Sequence, residues 1–172
     1  MSITNGYSVD CGTAACCGGG VPVIYLANKT DFDSITIDAN NKIDSITMNG
    51  AGVFYKFDMP DEKATSSSTV ARAGCCGVYT LGVTGVFECL SQTNLDRLNE
   101  LTSTCCGFVV IIVAANGERF MFGNEANRAA KFQEGAIEFG TALEDDNQST
   151  WTLQAKQLTP MRQLDSTVVI PV

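Results

Sequence analysis

The chain has 172 residues, nineteen acidic and eleven basic side chains, a formal net charge of −8 and no histidine. That length fits one domain with a real hydrophobic core, and the eleven cations are scattered along the sequence, which disfavours counterion-releasing binding to DNA, RNA or an anionic membrane. Without histidine, the commonest general base and the Ser-His and Cys-His couples are excluded.

Residues 1–20 read as a flexible N-terminal arm: SVDCGTAACCGGG is rich in small residues and has no periodic apolar face. The opening MSITNGYSVD lacks the basic and apolar regions of a secretory signal, and the apolar run 108–115 is too short to span a bilayer. The expectation is a soluble product made in a cytosol. Residues 21–27 (VPVIYLA) form the first expected strand, with Pro22 indicating an edge position or a strand that begins just after it. Short alternating segments at 34–38 (SITID) and 43–48 (IDSITM), joined by the turn residues 39–42, predict a hairpin.

Residues 53–57 (VFYKF) predict the next strand. The following DMPDEKATSSSTVA combines proline, charges and three serines, so a long loop is expected at 58–72, ordering on a partner. Residues 76–89 (CGVYTLGVTGVFEC) return to a β pattern, in which Gly82 and Gly85 predict a bend or bulge.

The stretch 93–123 organises the chain. Thr93 or Asn94 can cap a short helix whose Leu95, Leu98 and Leu101 make one apolar stripe. The apolar run 108–114 predicts a strand covered on both faces, by the helix on one and by another sheet or another subunit on the other. Asn116-Gly117 predicts a two-residue type I′ turn into an antiparallel return, with Phe120 and Phe122 on one face and Arg119 and Met121 on the other. Modest strands are expected at 129–133 and 136–141 around Glu134-Gly135, an acidic turn at 145–148, and a strand at 150–157 with Trp151, Leu153 and Ala155 on one face. The tail 158–172 is too apolar to hang free and should pair or dock. The fold class expected is mainly β, an antiparallel β-sandwich or partial barrel with one flanking α-helix, formed by residues 21–172 as a single domain.

Eight cysteines include three vicinal pairs: Cys11, Cys16, Cys17, Cys75, Cys76, Cys89, Cys105 and Cys106. Neighbours in a strand point to opposite faces and bond each other with difficulty, and a zinc site would have to be all-thiolate without the usual C-x2-C spacing. The expectation is small buried hydrophobes beside glycine, with Cys11, Cys16 and Cys17 as the exceptions. Asp145-Asp146 and Asp61-Glu62 read as solvated turns and not as a glycosidase pair, and Asp31, Asp33 and Asp38 lack the EF-hand series. The sequence therefore nominates no catalytic, cofactor-binding or metal-ligating residue, and no enzyme activity or cofactor is expected.

From residue 85 to 158 the order GVFECL, NLDRLNEL, FVVIIVAANGERFMFG, AIEFGTALEDDNQSTWTLQAKQLTP resembles phage tail-tube and tube-like tail ring proteins, particularly those of phages of Bacteroidetes, including the crAss-like type. The cysteine pairs and the Gly-rich arm depart from that pattern. The resemblance implies a non-enzymatic structural virion protein with a tail-tube-like β domain. It would be a homo-oligomer that forms a ring or tube by pairing sheets between neighbours. Its partners would be its own copies and neighbouring tail or portal-vertex proteins, with DNA passing through the lumen without sequence-specific binding. It would be assembled in the host cytoplasm and located in the virion tail. Two classes compete: a ligand- or carbohydrate-binding β-sandwich module, which would show exposed aromatics in its loops, and a thiol-based metal or redox module, which would carry metal on purification.

Overall fold

The computed structural model describes residues 20–60, 63–88, 90–139 and 147–172. Eleven strands and one helix follow in order: β1 (Val23–Asn28), β2 (Phe32–Ile37), β3 (Ile43–Met48), β4 (Tyr55–Asp58), β5 (Thr65–Ala73), β6 (Cys76–Glu88), α1 (Gln92–Ser103), β7 (Phe108–Val113), β8 (Arg119–Phe122), β9 (Lys131–Glu138), β10 (Gln148–Gln157) and β11 (Arg162–Gln163). The arm expected at 1–20 lies outside the described residues except for Gly20. All named strand pairings are antiparallel. A five-stranded sheet has the order β11-β8-β7-β1-β4, a four-stranded sheet the order β5-β6-β10-β9, and β2-β3 stand apart as a hairpin. The result is a mainly β sandwich with one α-helix and no closed barrel among the described residues.

The apolar run of β7 explains this layering. Phe108, Val110 and Ile112 alternate into a core shared with Leu81, Val83, Trp151 and Leu153 of the four-stranded sheet and with Leu101 of the helix. Val109 and Ile111 point the other way, into a second core with Phe32 and Ile43 of the β2-β3 hairpin and Leu164 and Val168 of the tail. The strand is thus covered on both faces, as expected, but the second cover comes from the same chain and not from a subunit. Each such fully buried aliphatic side chain contributes about 1.5–3 kcal/mol. Pro22 sits just before β1, which is a central strand between β7 and β4. The tail docks through β11 on β8, and Arg119 holds it by donating to the carbonyls of Val168 (2.8 Å) and Asp165 (2.6 Å).

Several local expectations are corrected. Residues 65–73 are not loop: TSSSTVARA is a strand paired with β6 along its whole length, because serine and threonine accept an edge position where no core contact is demanded. The helix is capped by Ser91, whose Oγ accepts from the Asn94 amide at 3.2 Å, and not by Thr93 or Asn94. Of the Leu stripe, Leu101 is buried and Leu98 packs against the core. The β7-β8 connection is one residue longer than a type I′ turn. Gly117 alone takes positive φ (+83°), its N–H donates to the Ala114 carbonyl (2.8 Å), and Ala114 N–H donates to Glu118 (2.8 Å), the pattern of a type I turn closed by a glycine bulge. The two strands expected around Glu134-Gly135 are one, β9, with a bulge that leaves Gln133 unpaired opposite Thr152 and Leu153.

Gly85 makes no bulge either, since the β6-β10 register runs unbroken from Glu88 to Tyr79. Its role is space. Trp151 is fully buried and directly opposite Gly85, with Phe57 and Phe87 against its ring at 6.3 and 5.7 Å between centroids. A Cβ on Gly85 would come within 2.2 Å of the indole. Gly85→Ala is therefore expected to lower stability by about 1–3 kcal/mol through overpacking, read as a shifted denaturant midpoint. An unchanged midpoint would mean that Trp151 has room to move.

Candidate functional site

The surfaces available for function follow from where the sandwich stops covering itself. Both outer strands of the four-stranded sheet have a free edge among the described residues: β5 over nine residues and β9 over eight. Along β5 every residue is exposed except Ser66, whose Oγ is turned onto the Gly82 carbonyl at 3.1 Å. Val70 is 63% exposed there, Ile137 in β9 is 46% exposed, and Phe139 just after β9 is 78% exposed. Long edges with unpaired backbone groups and apolar side chains are templates for strand addition. A two-signed surface salt bridge, Lys63 to Glu88 at 2.8 Å, ties the start of β5 to the end of β6.

A groove of about 820 Å³ runs between β4 and α1. Its apolar wall is Tyr55, Phe57, Phe87, Leu101 and Phe108, and Lys56, Asp58, Arg97 and Glu100 supply charges of both signs. Lys56 and Asp58 pair at 2.8 Å, and that hydrogen bond and charge raise the Lys56 pKa.

A second concavity, about 580 Å³, opens where the loop after β8 meets the ends of β9 and β10. Arg128, Lys131 and Lys156 line it with Asn127, Gln133 and Gln154. The fold adds Lys156 of β10 to the sequence neighbours Arg128 and Lys131, which adjacency along the chain could not reveal. Glu125 stands behind Arg128, 3.7 Å from its Nε, and accepts hydrogen bonds from Leu158 N (3.0 Å), Thr159 N (2.9 Å) and Thr159 Oγ1 (2.6 Å). Partial burial pushes the Glu125 carboxyl up, but the Thr159 hydroxyl, the two backbone N–H groups and Arg128 together outweigh it, and the net pKa is lowered.

The cysteine expectation is overturned where it can be examined. Cys75, Cys76, Cys105 and Cys106 are free and exposed, because Cys75, Cys105 and Cys106 occupy the β5-β6 and α1-β7 turns and Cys76 is the exposed first residue of β6. Cys11, Cys16, Cys17 and Cys89 lie outside the described residues, as do Asp61-Glu62 and Asp145-Asp146. Among the described residues, no three His, Cys, Asp or Glu side chains converge in a way that could hold a metal ion. Asp31 accepts from Asn28 and Thr30, and Asp38 accepts from the N–H groups of Asn40 and Lys42, so both serve their own turns. No helix of the described residues is long and apolar enough to cross a membrane. Comparison with protein-family models, with curated proteins and with solved structures finds no match to this chain.

Two outcomes test this description. A thiol reagent should titrate at least the four thiols of Cys75, Cys76, Cys105 and Cys106 in the native protein. Cys105→Ser with Cys106→Ser should remove two of these and change stability by no more than about 0.5 kcal/mol per site, as exposed positions do. Slow labelling that requires denaturant would contradict their exposure. Glu125, with its folded-state carboxyl below the unfolded value, contributes stability above about pH 4.3 and loses it as pH falls through the folded-state pKa. Glu125→Gln should accordingly lower the melting temperature at neutral pH, and the gap to wild type should close in acid. A gap that is constant with pH would show that the charge is not what matters.

Proposed function

We propose that this chain is a non-enzymatic structural subunit of a bacteriophage tail, which assembles with its own copies into a ring or tube around the DNA channel. The observation that carries the reading is the pair of long free edges, β5 and β9, on opposite sides of one antiparallel sheet. A head-to-tail contact between unlike edges closes a ring if the rotation per subunit permits, and it removes both sets of unpaired backbone groups at once. β5 and β9 are antiparallel in direction, since three antiparallel pairings separate them, so β5 of one copy beside β9 of the next continues the ladder without inverting the subunit. The resemblance of residues 85–158 to tail-tube and tail ring proteins supplies the biological setting, with copies of the chain and neighbouring tail or portal-vertex proteins as partners and the virion tail as location.

A ligand- or carbohydrate-binding sandwich is the second reading. The groove beside β4 favours it, through the 58% exposed Tyr55 and the aromatic wall behind it.

Electron microscopy and light scattering of the purified protein decide between the two. Rings or tubes are expected, alone or with tail partners present. Val70→Lys combined with Ile137→Lys places charge beside both edges at exposed positions and should abolish assembly while leaving β-type circular dichroism intact. A strictly monomeric wild-type protein in the presence of its partners would overturn the ring reading, and assembly indifferent to the double substitution would overturn the role of these edges.

A further inference from the structure

The concavity between the β8-β9 loop and the ends of β9 and β10 draws its charge from two separate stretches of the chain, 128–131 and the end of β10. Arg128 comes from the loop, Lys131 is the first residue of β9, and Lys156 is the next-to-last residue of β10. In a chain of net charge −8, all three charged side chains that line this 580 Å³ space are positive. Asn127, Gln133 and Gln154 add side-chain amides, which can donate as well as accept.

The carboxylate paired with this group among the described residues, Glu125, pairs with Arg128 alone. Glu125 accepts three hydrogen bonds from Leu158 and Thr159, which fixes it behind Arg128. Glu125 Oε2 lies 3.7 Å from Arg128 Nε, while Arg128 Nη1 donates to the Lys156 carbonyl at 3.4 Å. Lys131 and Lys156 are exposed and have no ion-pair partner among the described residues. Three converging cations repel one another, and a bound anion relieves that repulsion.

We propose that this concavity is a binding site for a multiply charged phosphate-class oxyanion. A guanidinium presents paired donors to two oxygens, two ammonium groups act as point charges, and the amide donors reach further oxygens; a polyphosphate or successive phosphodiesters can use all of these together. The site is drawn from the side chains of one subunit and does not rest on the tail assembly, although Lys131 and Gln133 stand on the edge strand β9. The same chemistry could come from a free polyphosphate or from a nucleic-acid backbone. Because the site is open to solvent, binding weakens as salt is added.

The test is calorimetric titration of the full chain with inorganic pyrophosphate at low ionic strength. Saturable binding is expected, weakened at least about tenfold by Lys131→Gln combined with Lys156→Gln and unaffected by Lys56→Gln on β4. Both lysines of the double variant are exposed, so an unchanged thermal transition separates loss of the site from loss of the fold. A thymidine oligonucleotide that displaces pyrophosphate would identify the backbone of a nucleic acid as a source, and pyrophosphate binding that the oligonucleotide cannot displace would identify a small anion. Absence of saturable pyrophosphate binding, or binding unchanged in the double variant, would overturn the proposal.

Discussion

Burial of β7 on both of its faces is the constraint from which the architecture follows. A strand reading FVVIIV has no polar row to turn toward water, so its stabilisation is realised only if two separate layers are supplied. The four-stranded sheet and α1 provide one, and the β2-β3 hairpin with the C-terminal tail provides the other. This explains why a segment as irregular as the tail is held firmly by Arg119 and by Phe54, whose N–H donates to the Pro171 carbonyl at 2.7 Å. Removing the tail would uncover part of the second core.

The four-stranded sheet is built differently, and that difference produces the candidate functional surfaces. Its centre is organised around Trp151, seated in the gap left by Gly85 and closed by Phe57 and Phe87. Its margins are the edge strands β5 and β9, made of Ser, Thr, Ala and charged residues, with only isolated apolar side chains such as Val70 and Ile137. The interior is closed by the chain itself, whereas the two edge strands leave backbone groups unpaired among the described residues. The cationic concavity lies on this same sheet, with Lys131 and Gln133 on the edge strand β9 and Gln154 and Lys156 on the inner strand β10.

Much of the fold was legible from residues 21–57 and 76–163 because pattern there reports burial directly. The alternation in TWTLQAKQ, the unbroken apolar run of β7 and the Leu98-Leu101 stripe all describe which faces meet the core, and these faces are buried in the structure. Where composition was used instead of periodicity, it misled. TSSSTVARA lacks an apolar row because β5 is an exposed edge, not because it is loop, and a strand stabilised by backbone pairing alone leaves no hydrophobic signature. The cysteines were misplaced for the related reason that residue type carries an average burial, whereas turn geometry decides whether a given thiol is covered.

The sequence by itself determined the β class, the single helix, the doubly covered central strand and the docking of the tail, since each depends on local periodicity and on the need to remove apolar side chains from water. Only the tertiary structure decided which strands end as free edges, that Gly85 makes room for an indole instead of bending its strand, and that Arg128, Lys131 and Lys156 line one concavity. These depend on register between strands far apart in the chain, and register is a property of paired backbones that no single segment contains.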